Sequence, residues 1–250
     1  MYNNIKRHHG DCTMERYKGK IISILGDSIS TFEGYIPKAD GINLAHRPRY
    51  PQENLLTDVN DTWWMKLIKS LGARLGVNDS WAGSTVSNFR DCNEKDFGPD
   101  AAMASLTRIR NLGANGTPDL ILFFGGTNDA GKMIEKGTFD PERKPDLKAY
   151  KWDSFADAYS ETILRLKHFY PNAEIIAISP SISGGYYDNY RLSEFADLAI
   201  EICLHYNLKC VDVRRSGLEI SMLPDTLHPN AEGMDFIFKS VLNKLKEENQ

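Results

Sequence analysis

The amino-acid sequence predicts an α/β fold, a three-layer α/β/α sandwich built on a five-stranded parallel sheet. Five short apolar runs recur along the 250 residues, and segments with apolar residues at helical spacing separate them. The runs lack strict alternation of apolar and polar residues, which is typical of strands buried on both faces of a parallel sheet. Strands that alternate with helices imply right-handed crossovers, which place helices on both faces of the sheet.

Each predicted strand is an apolar run that ends at a turn-forming residue or a polar residue. The first run stops at Gly26, the third at Gly125-Gly126, and the fourth just before Pro180. The second run is the weakest of the five. In chain order, the strands are predicted over residues 21–25, 74–78, 120–124, 173–178 and 208–213.

The helices are predicted from five stripes of apolar side chains, which core packing explains. Pro99 is expected at the start of the second helix, because proline suits the first helical turn. The helices are predicted over residues 62–71, 99–112, 155–169, 192–206 and 234–245.

The order of these elements favours a single domain, although the chain is long enough for two small ones. We expect an N-terminal extension over residues 1–18, in which Met14 is an alternative start, and one domain over residues 19–250. Two long irregular stretches, residues 29–61 and 129–152, follow strand ends. Open α/β sheets bind ligands at this edge, so both stretches are candidates for substrate-binding loops.

Charge and composition exclude several functional classes. The formal net charge is −4 and no stretch is strongly basic, which argues against a nucleic-acid partner. The longest clean apolar run, Leu120 to Phe124, is far shorter than the ~20 residues of a membrane-spanning helix, so no membrane span is predicted. The polar first 19 residues lack a leader-like apolar stretch, which favours a cytoplasmic location. A periplasmic or secreted location and the oligomeric state are left open.

The cysteines predict neither a zinc site nor a disulfide framework. Cys12, Cys92, Cys203 and Cys210 are widely spaced and form no C-x-x-C pair, which excludes a zinc ribbon or a thioredoxin-like motif. Cys203 lies in a helical pattern and Cys210 in a strand pattern, so both are interpreted as small core residues. We expect no metal and no cofactor.

Polar turns that contain glycine follow the first three predicted strands. They are Gly26-Asp27-Ser28, a Trp-Ala-Gly-Ser turn around Gly83, and Gly125-Gly126-Thr127-Asn128-Asp129. Each alone is explained by an ordinary turn or a helix cap, and Gly83 is expected to lead into a helix. Three such turns at one edge of a sheet instead favour a site, with a hydroxyl, an exposed backbone N–H and an amide donor.

A fourth polar segment precedes the last predicted helix and contains Asp225, His228 and Pro229. Proline biases the backbone of His228 to an extended conformation and keeps it out of the helix. The spacing lets the Asp225 carboxylate orient the imidazole through Nδ1, so that Nε2 is free to take a proton from a serine. The alternative is a helix start with a surface histidine. The five histidines without such a context are His8, His9, His46, His168 and His205.

These four segments, in this order, resemble the four sequence blocks of the SGNH (GDSL-type) hydrolases. The resemblance spans the chain from Ile21 to about Leu245, and the second block is matched mainly by Gly83. It implies a flavodoxin-like α/β/α sandwich, which agrees with the element pattern. It also implies a serine esterase, or acylhydrolase, that works through an acyl-enzyme.

The resemblance implies a role for each of five residues. Ser28 would be the nucleophile, and His228 the general base and then the general acid, with Asp225 orienting His228. The oxyanion hole would comprise the backbone N–H groups of Ser28 and Gly83 and the side-chain amide of Asn128. The chemistry agrees, because a serine needs an adjacent base and a developing oxyanion needs preorganised donors.

Aromatic residues in two expected lid loops suggest the substrate. Aromatic faces beside hydrogen-bonding groups suit a sugar ring better than a long acyl chain, although ordinary loop packing explains these residues equally well. We therefore expect a short-chain (acetyl) esterase acting on a carbohydrate or other small-molecule ester. The alternatives are a lysophospholipase- or thioesterase-type lipid acyl hydrolase and a non-catalytic sugar-binding module. The aromatic residues are Phe32, Tyr35, Tyr50, Tyr186, Tyr187 and Tyr190.

Two other enzyme classes are disfavoured by missing motifs. A metallophosphoesterase needs a cluster of His and Asp ligands, but no Asp-x-His lies near the first strand and no His directly follows Asn128. An α/β-hydrolase needs a Gly-x-Ser-x-Gly elbow, which the sequence lacks.

Overall fold

The computed structural model describes residues 15–35, 56–88 and 99–247. In these ranges five strands form one sheet: β1 (Ile21–Gly26), β2 (Arg74–Ser80), β3 (Leu120–Phe124), β4 (Glu174–Ile178) and β5 (Lys209–Val211). The strand order is β2-β1-β3-β4-β5, and every neighbouring pair is parallel. The predicted three-layer α/β/α fold is confirmed.

Helices cover both faces of this sheet. They are α1 (Trp63–Ser70), α2 (Leu106–Asn111), α3 (Thr127–Gly131), α4 (Phe155–Phe169), α5 (Asn189–His205) and α6 (Ala231–Lys246). Successive residues of a strand point to opposite faces, so the all-apolar β3 contributes to two separate cores. Leu120, Leu122 and Phe124 pack with α1 and α6, whereas Ile121 and Phe123 pack with α2, α4 and α5.

The prediction of one helix over residues 99–112 is wrong. A 3₁₀ turn at Pro99–Ala101 is separated from α2, because residues 103 and 104 donate backbone hydrogen bonds to residues 85 and 86 at 3.0 and 3.2 Å. Ser105 then begins a new helix as its N-cap. The apolar spacing was real, but it belongs to two short segments that pack on the same core.

Other elements differ from the predictions at their ends. The last strand was expected over residues 208–213, yet β5 is shorter because Asp212 caps a 3₁₀ turn that begins at Val213. The Gly-rich turn after β3 contains the short helix α3, which begins directly after Gly126 at φ +106°. Glycine, Asn and Asp are poor helix formers, so residue propensities do not predict this helix.

The long irregular stretches and the termini are only partly covered. The stretch over residues 129–152 contains no helix or strand after Gly131. In the stretch over residues 29–61, residues 36–55 lie outside the described residues. Of the expected extension over residues 1–18, Tyr17 is buried against the core that contains α1 and α6.

Two of the four cysteines can be placed. Cys203 is buried in α5, and Cys210 is half-buried in β5. Cys12 and Cys92 lie outside the described residues. None of the helices in the described ranges has the length and apolar character needed to cross a membrane.

Candidate active site

Ser28 lies directly after β1, at the carboxyl edge of the sheet. It opens a 3₁₀ turn in which Asp27 is the N-cap, with its Oδ1 accepting from the backbone N–H of Ile29 at 3.0 Å. Ser28 Oγ lies 2.8 Å from His228 Nε2. The two residues are only 6% and 8% exposed, so both side chains are largely shielded from solvent.

The segment before α6 wraps around the Asp225 carboxylate. Asp225 Oδ2 lies 2.6 Å from His228 Nδ1, while Oδ1 accepts from the backbone N–H groups of His228 and Leu227 at 2.7 and 3.1 Å. Thr226, between them, has φ +71°, which is a rare conformation for a β-branched residue. This tight turn brings the carboxylate back onto the imidazole three residues later in the chain.

The pKa values of this pair favour a charged carboxylate and a neutral imidazole. Burial lowers the pKa of His228 below its ordinary value, although the Asp225 carboxylate acts in the opposite direction. Burial acts to raise the pKa of Asp225, but hydrogen bonds from His228 and Leu227 outweigh it and the pKa is lowered overall. At neutral pH the imidazole therefore has Nε2 available as a proton acceptor.

Gly83 and Asn128 lie just beyond the ends of β2 and β3, respectively. Gly83 has φ +72° and its carbonyl accepts from Lys132 Nζ at 2.5 Å. Asn128 Nδ2 donates to the Ser84 carbonyl at 2.9 Å, so one amide hydrogen remains for another acceptor. Within the described ranges, no protein acceptor receives a hydrogen bond from the backbone N–H of Ser28 or Gly83.

The helix expected after Gly83 is absent from residues 84–88, and this expectation is wrong. Asp129 holds this segment in a loop instead, because its carboxylate accepts from the backbone N–H groups of Val86 and Ser87 at 2.8 and 3.1 Å. The Ser87 hydroxyl adds a third bond at 2.8 Å. Asp129 thereby fixes the loop that carries Gly83 against the start of α3.

Arg108 is a residue of the site that the sequence did not indicate. It is fully buried beneath the carboxyl edge of the sheet and donates to the carbonyls of Gly26 and Asp79 at 3.1 and 2.7 Å. It also donates to Ser84 Oγ, and its Nε lies 3.3 Å from Asp79 Oδ1. An arginine in a predicted helix is usually exposed to solvent, and only the fold shows that this one points inward.

Asp27 has an unusual charge state beside the serine. Burial, with the charge of Asp129 adding to it, raises the pKa of Asp27 to about 7, although the backbone N–H of Ile29 and the nearby Arg108 oppose this. Its Oδ2 is buried without a hydrogen-bond partner among the described residues. Near neutral pH this carboxyl is therefore partly protonated.

The aromatic residues expected around the site are spread over different surroundings. Tyr187 enters the site, since its hydroxyl donates to Asn128 Oδ1 at 3.2 Å. Tyr186 packs edge-on against Tyr187 and is 63% exposed. Tyr35 is 41% exposed and packs near Phe32. Tyr190 is exposed in α5, and Tyr50 lies outside the described residues.

Metal ligation has no candidate in the part of the chain that the structure describes, where no group of three or more His, Cys, Asp or Glu side chains is placed to hold an ion. Of the other histidines, His8, His9 and His46 lie outside the described residues. His168 and His205 lie in the last turns of α4 and α5, whereas the site is at the carboxyl edge of the sheet.

The architecture is shared with a described protein family and with other solved structures. The model of the GDSL-like lipase/acylhydrolase family matches residues 20–245. A Bacteroides uniformis structure described as a GDSL-like lipase is 31% identical, covers 90% of this chain and 94% of its own, and has a TM-score of 0.67. A Bacteroides ovatus structure with the same description is 31% identical, covers 90% and 96%, and has a TM-score of 0.65.

A more distant structure shares the fold alone. It is a variant of an acetyl xylan esterase from Geobacillus stearothermophilus, 18% identical, covering 92% of this chain and 95% of its own at a TM-score of 0.57. Comparison with curated proteins gives no match. A serine, a histidine and an aspartate within hydrogen-bonding distance of one another are typical of serine hydrolases, on several unrelated folds. This chain is a member of the GDSL-like lipase/acylhydrolase family and a carboxylic ester hydrolase, which confirms the resemblance seen in the four sequence blocks.

Proposed function

We propose that this protein removes short acyl groups, acetyl above all, from carbohydrate esters through an acyl-enzyme on Ser28. The observation that carries the proposal is the continuous set of contacts from Ser28 Oγ to His228 Nε2 at 2.8 Å and from His228 Nδ1 to Asp225 Oδ2 at 2.6 Å. A serine hydroxyl is a weak nucleophile alone, and this arrangement supplies the base that activates it.

In the first half-reaction, Ser28 Oγ attacks the ester carbonyl carbon while its proton moves to His228 Nε2. The tetrahedral intermediate collapses as the C–O bond to the alcohol breaks, and the imidazolium gives its proton to the leaving alkoxide oxygen. In the second half-reaction, His228 takes a proton from water, which attacks the acyl-enzyme. The carboxylic acid leaves and Ser28 regains its proton.

Asp225 supports both proton transfers. Its Oδ2 accepts from Nδ1–H of His228, which selects the tautomer with a free Nε2 and stabilises the imidazolium when it forms. Because Oδ1 is already bonded to two backbone N–H groups of the same loop, the carboxylate cannot rotate away. The imidazole is therefore held in one orientation before substrate arrives.

The oxyanion hole is assigned to the backbone N–H groups of Ser28 and Gly83 and to the remaining amide hydrogen of Asn128. The absence of a protein acceptor for these two backbone groups within the described ranges supports the assignment. Buried donors of this kind favour the transition state, in which negative charge develops on the carbonyl oxygen. Each such donor is worth roughly 10²–10³-fold in rate.

Two features near the site support a small acyl group and a polar alcohol. Lys132 places an ammonium group on the Gly83 carbonyl, and a long alkyl chain beside it would desolvate that charge. Tyr186, which packs against Tyr187, offers an exposed ring face of the kind that packs on sugar rings. The same fold also occurs in an acetyl xylan esterase, which supports the proposal.

A substrate panel tests the proposal directly. We expect the wild-type protein to hydrolyse an aryl acetate faster than the matched aryl octanoate, and to release acetate from acetylated xylo-oligosaccharides. The Ser28→Ala variant, whose fold is checked by circular dichroism, should be inactive on all of them. Faster turnover of the octanoate would indicate a lipid acyl hydrolase instead. Sugar binding without hydrolysis in both proteins would indicate a binding module.

A further inference from the structure

The Asn128 amide is held at both ends. Its Nδ2 donates one hydrogen to the Ser84 carbonyl at 2.9 Å, and its Oδ1 accepts from the Tyr187 hydroxyl at 3.2 Å. A primary amide is planar, so these two bonds together fix both its position and the direction of its second N–H. That second N–H is the group assigned to the oxyanion.

The Tyr187 ring is seated by Gly131, the last residue of α3. A Cβ atom at Gly131 would overlap the ring, so the absence of a side chain there allows the tyrosine to approach the helix. Burial raises the pKa of Tyr187 to about 12, with the charges of Tyr186 and Asp27 adding to it. The hydroxyl therefore remains a donor at neutral pH, which is what the Asn128 Oδ1 acceptor requires.

The backbone of Tyr187 is tied to the loop that carries the histidine. Its N–H donates to Ser183 Oγ at 2.9 Å, and the Ser183 hydroxyl donates to the Thr226 carbonyl at 3.2 Å. The N–H of Gly184 donates to the same carbonyl at 2.7 Å. A Cβ atom at Gly184 would lie 3.2 Å from Thr226 Cα, so glycine permits this close approach. Residues 183–187 thus connect the turn between Asp225 and His228 to the amide of Asn128.

We propose that Tyr187 is a positioning residue for ester hydrolysis. Its hydroxyl acts through Asn128 to direct the amide N–H at the oxyanion, and its backbone holds this amide at a fixed position relative to His228. The inference rests on the proposed oxyanion role of Asn128. Oxyanion donors act only when they are placed about 2.7–3.1 Å from the developing charge, so an amide that is free to rotate loses much of its effect. Tyr187 does not touch the reacting atoms in this account.

The test is a set of four variants assayed on an aryl acetate: Tyr187→Phe, Asn128→Ala, the double variant, and Tyr170→Phe as control. Tyr170 is also a buried tyrosine, and its hydroxyl donates to the carbonyls of Ile109 and Arg110 at 2.9 and 3.0 Å instead of to a group of the candidate site. We expect Tyr187→Phe to lower kcat by about 10-fold with KM changed by less than about 2-fold, and Asn128→Ala to lower kcat by roughly 10²–10³-fold.

The double variant separates a positioning role from a structural one. If Tyr187 acts through Asn128, adding Tyr187→Phe to Asn128→Ala should change kcat by less than about 2-fold. Tyr170→Phe should shift the denaturant midpoint and leave kcat unchanged. Wild-type kcat in Tyr187→Phe, or an equal loss in both backgrounds, would overturn the inference. Wild-type kcat in Asn128→Ala would instead remove the oxyanion role of Asn128 from the proposed function, and the inference with it.

Discussion

Two buried arginines, Arg108 in α2 and Arg165 in α4, have similar surroundings in different parts of the molecule. Both are 0% exposed. Arg108 Nε lies 3.3 Å from a carboxylate oxygen of Asp79, and Arg165 Nε lies 2.8 Å from one of Glu161. Each guanidinium also stacks near an indole ring and donates to several backbone carbonyls. The tryptophans are Trp81 and Trp152, with ring centroids 4.5 and 4.9 Å from the guanidinium carbons.

The two arginines differ in the residues whose backbone carbonyls they bind. Arg108 binds the carbonyl of Gly26, which precedes the Asp27-Ser28 turn, and the hydroxyl of Ser84, whose carbonyl holds Asn128. Two of its hydrogen bonds therefore end within two residues of the groups assigned to chemistry. A guanidinium offers five N–H donors in a rigid plane, which suits it to hold several strand ends in one arrangement.

Arg165 uses the same donors to anchor a loop. It binds the carbonyls of Ala104, Ala149 and Asp146, and two of these lie in the long stretch over residues 129–152. None of its bonds reaches a residue of the candidate site. The comparison teaches that burial and ion pairing alone do not mark a functional residue, because the carbonyls bound by each arginine decide its role.

The largest expected effect is that of Arg108→Met on both activity and stability. The substitution leaves the Asp79 carboxylate buried without its cation, and it frees the strand ends that carry Ser28 and Ser84. We expect the free energy of unfolding to fall by about 3–5 kcal/mol. We also expect kcat/KM on an aryl acetate to fall by about 10²-fold in the folded protein, because a small displacement of the reacting groups lowers the rate by about this factor. If the fully folded Arg108→Met variant had the wild-type kcat/KM, Arg108 would not differ from Arg165 in its role.

Arg165→Met is expected to affect stability alone. Glu161 keeps a second cation, since Arg143 Nε lies 3.7 Å from its Oε2, so the loss should be smaller, about 2–4 kcal/mol. At a temperature where the variant is fully folded, kcat should stay within about 2-fold of wild type, because no bond to the site is lost. Urea denaturation and steady-state kinetics on the same samples measure both quantities. A large fall in kcat would show that the loop over residues 129–152 positions the site too.

A double variant, Arg108→Met with Asp79→Asn, sharpens the comparison further. Removing the carboxylate charge removes the uncompensated buried ion, and burial already acts to raise the pKa of Asp79. We expect about 1–3 kcal/mol of unfolding free energy to return relative to Arg108→Met. Activity should not return, since the bonds to Gly26 and Ser84 remain absent. Recovery of kcat together with stability would mean that Arg108 is only structural.

The smallest expected effect is a shift in the pH profile. The base must be neutral, so kcat/KM should rise with pH as His228 loses its proton, with a midpoint below the ordinary value of 6.5 because burial lowers its pKa. Burial also raises the pKa of Asp27 to about 7, so Asp27→Asn serves as the control that removes this group. Arg165→Met should keep the wild-type midpoint. A midpoint above 6.5 that persists in Asp27→Asn would contradict the assignment to His228.

The sequence predicted the sheet better than it predicted the ends of its elements. β3 matches its expected range, because Leu120 to Phe124 is a run of apolar residues buried on both faces. β2 extends past its expected end to Ser80, although Asn78, Asp79 and Ser80 are polar. These buried side chains have hydrogen-bond partners that residue propensities do not predict. One is the Ser30 carbonyl, which accepts from Asn78 Nδ2 at 2.9 Å.

The same limit applies to the site. Ser28, Asp225 and His228 could be singled out because their signals are local: a turn after a strand, and a carboxylate three residues before a histidine. Arg108 could not, since its contact with Gly26 spans 82 residues of chain. Tyr187 was singled out as an aromatic residue of a loop, but its hydrogen bond to Asn128 joins that loop to α3, and only the fold brings the two together.

The central claim is that Ser28 carries the acyl group during ester hydrolysis, and mass spectrometry of a rapidly quenched reaction tests it most directly. With an excess of aryl acetate, we expect one acetyl group on the peptide that contains Ser28. The label should be absent from Ser28→Ala, and the acid quench should preserve it in the wild-type protein because it stops deacylation. Acetyl on another peptide, or turnover at the wild-type rate by Ser28→Ala, would contradict the account.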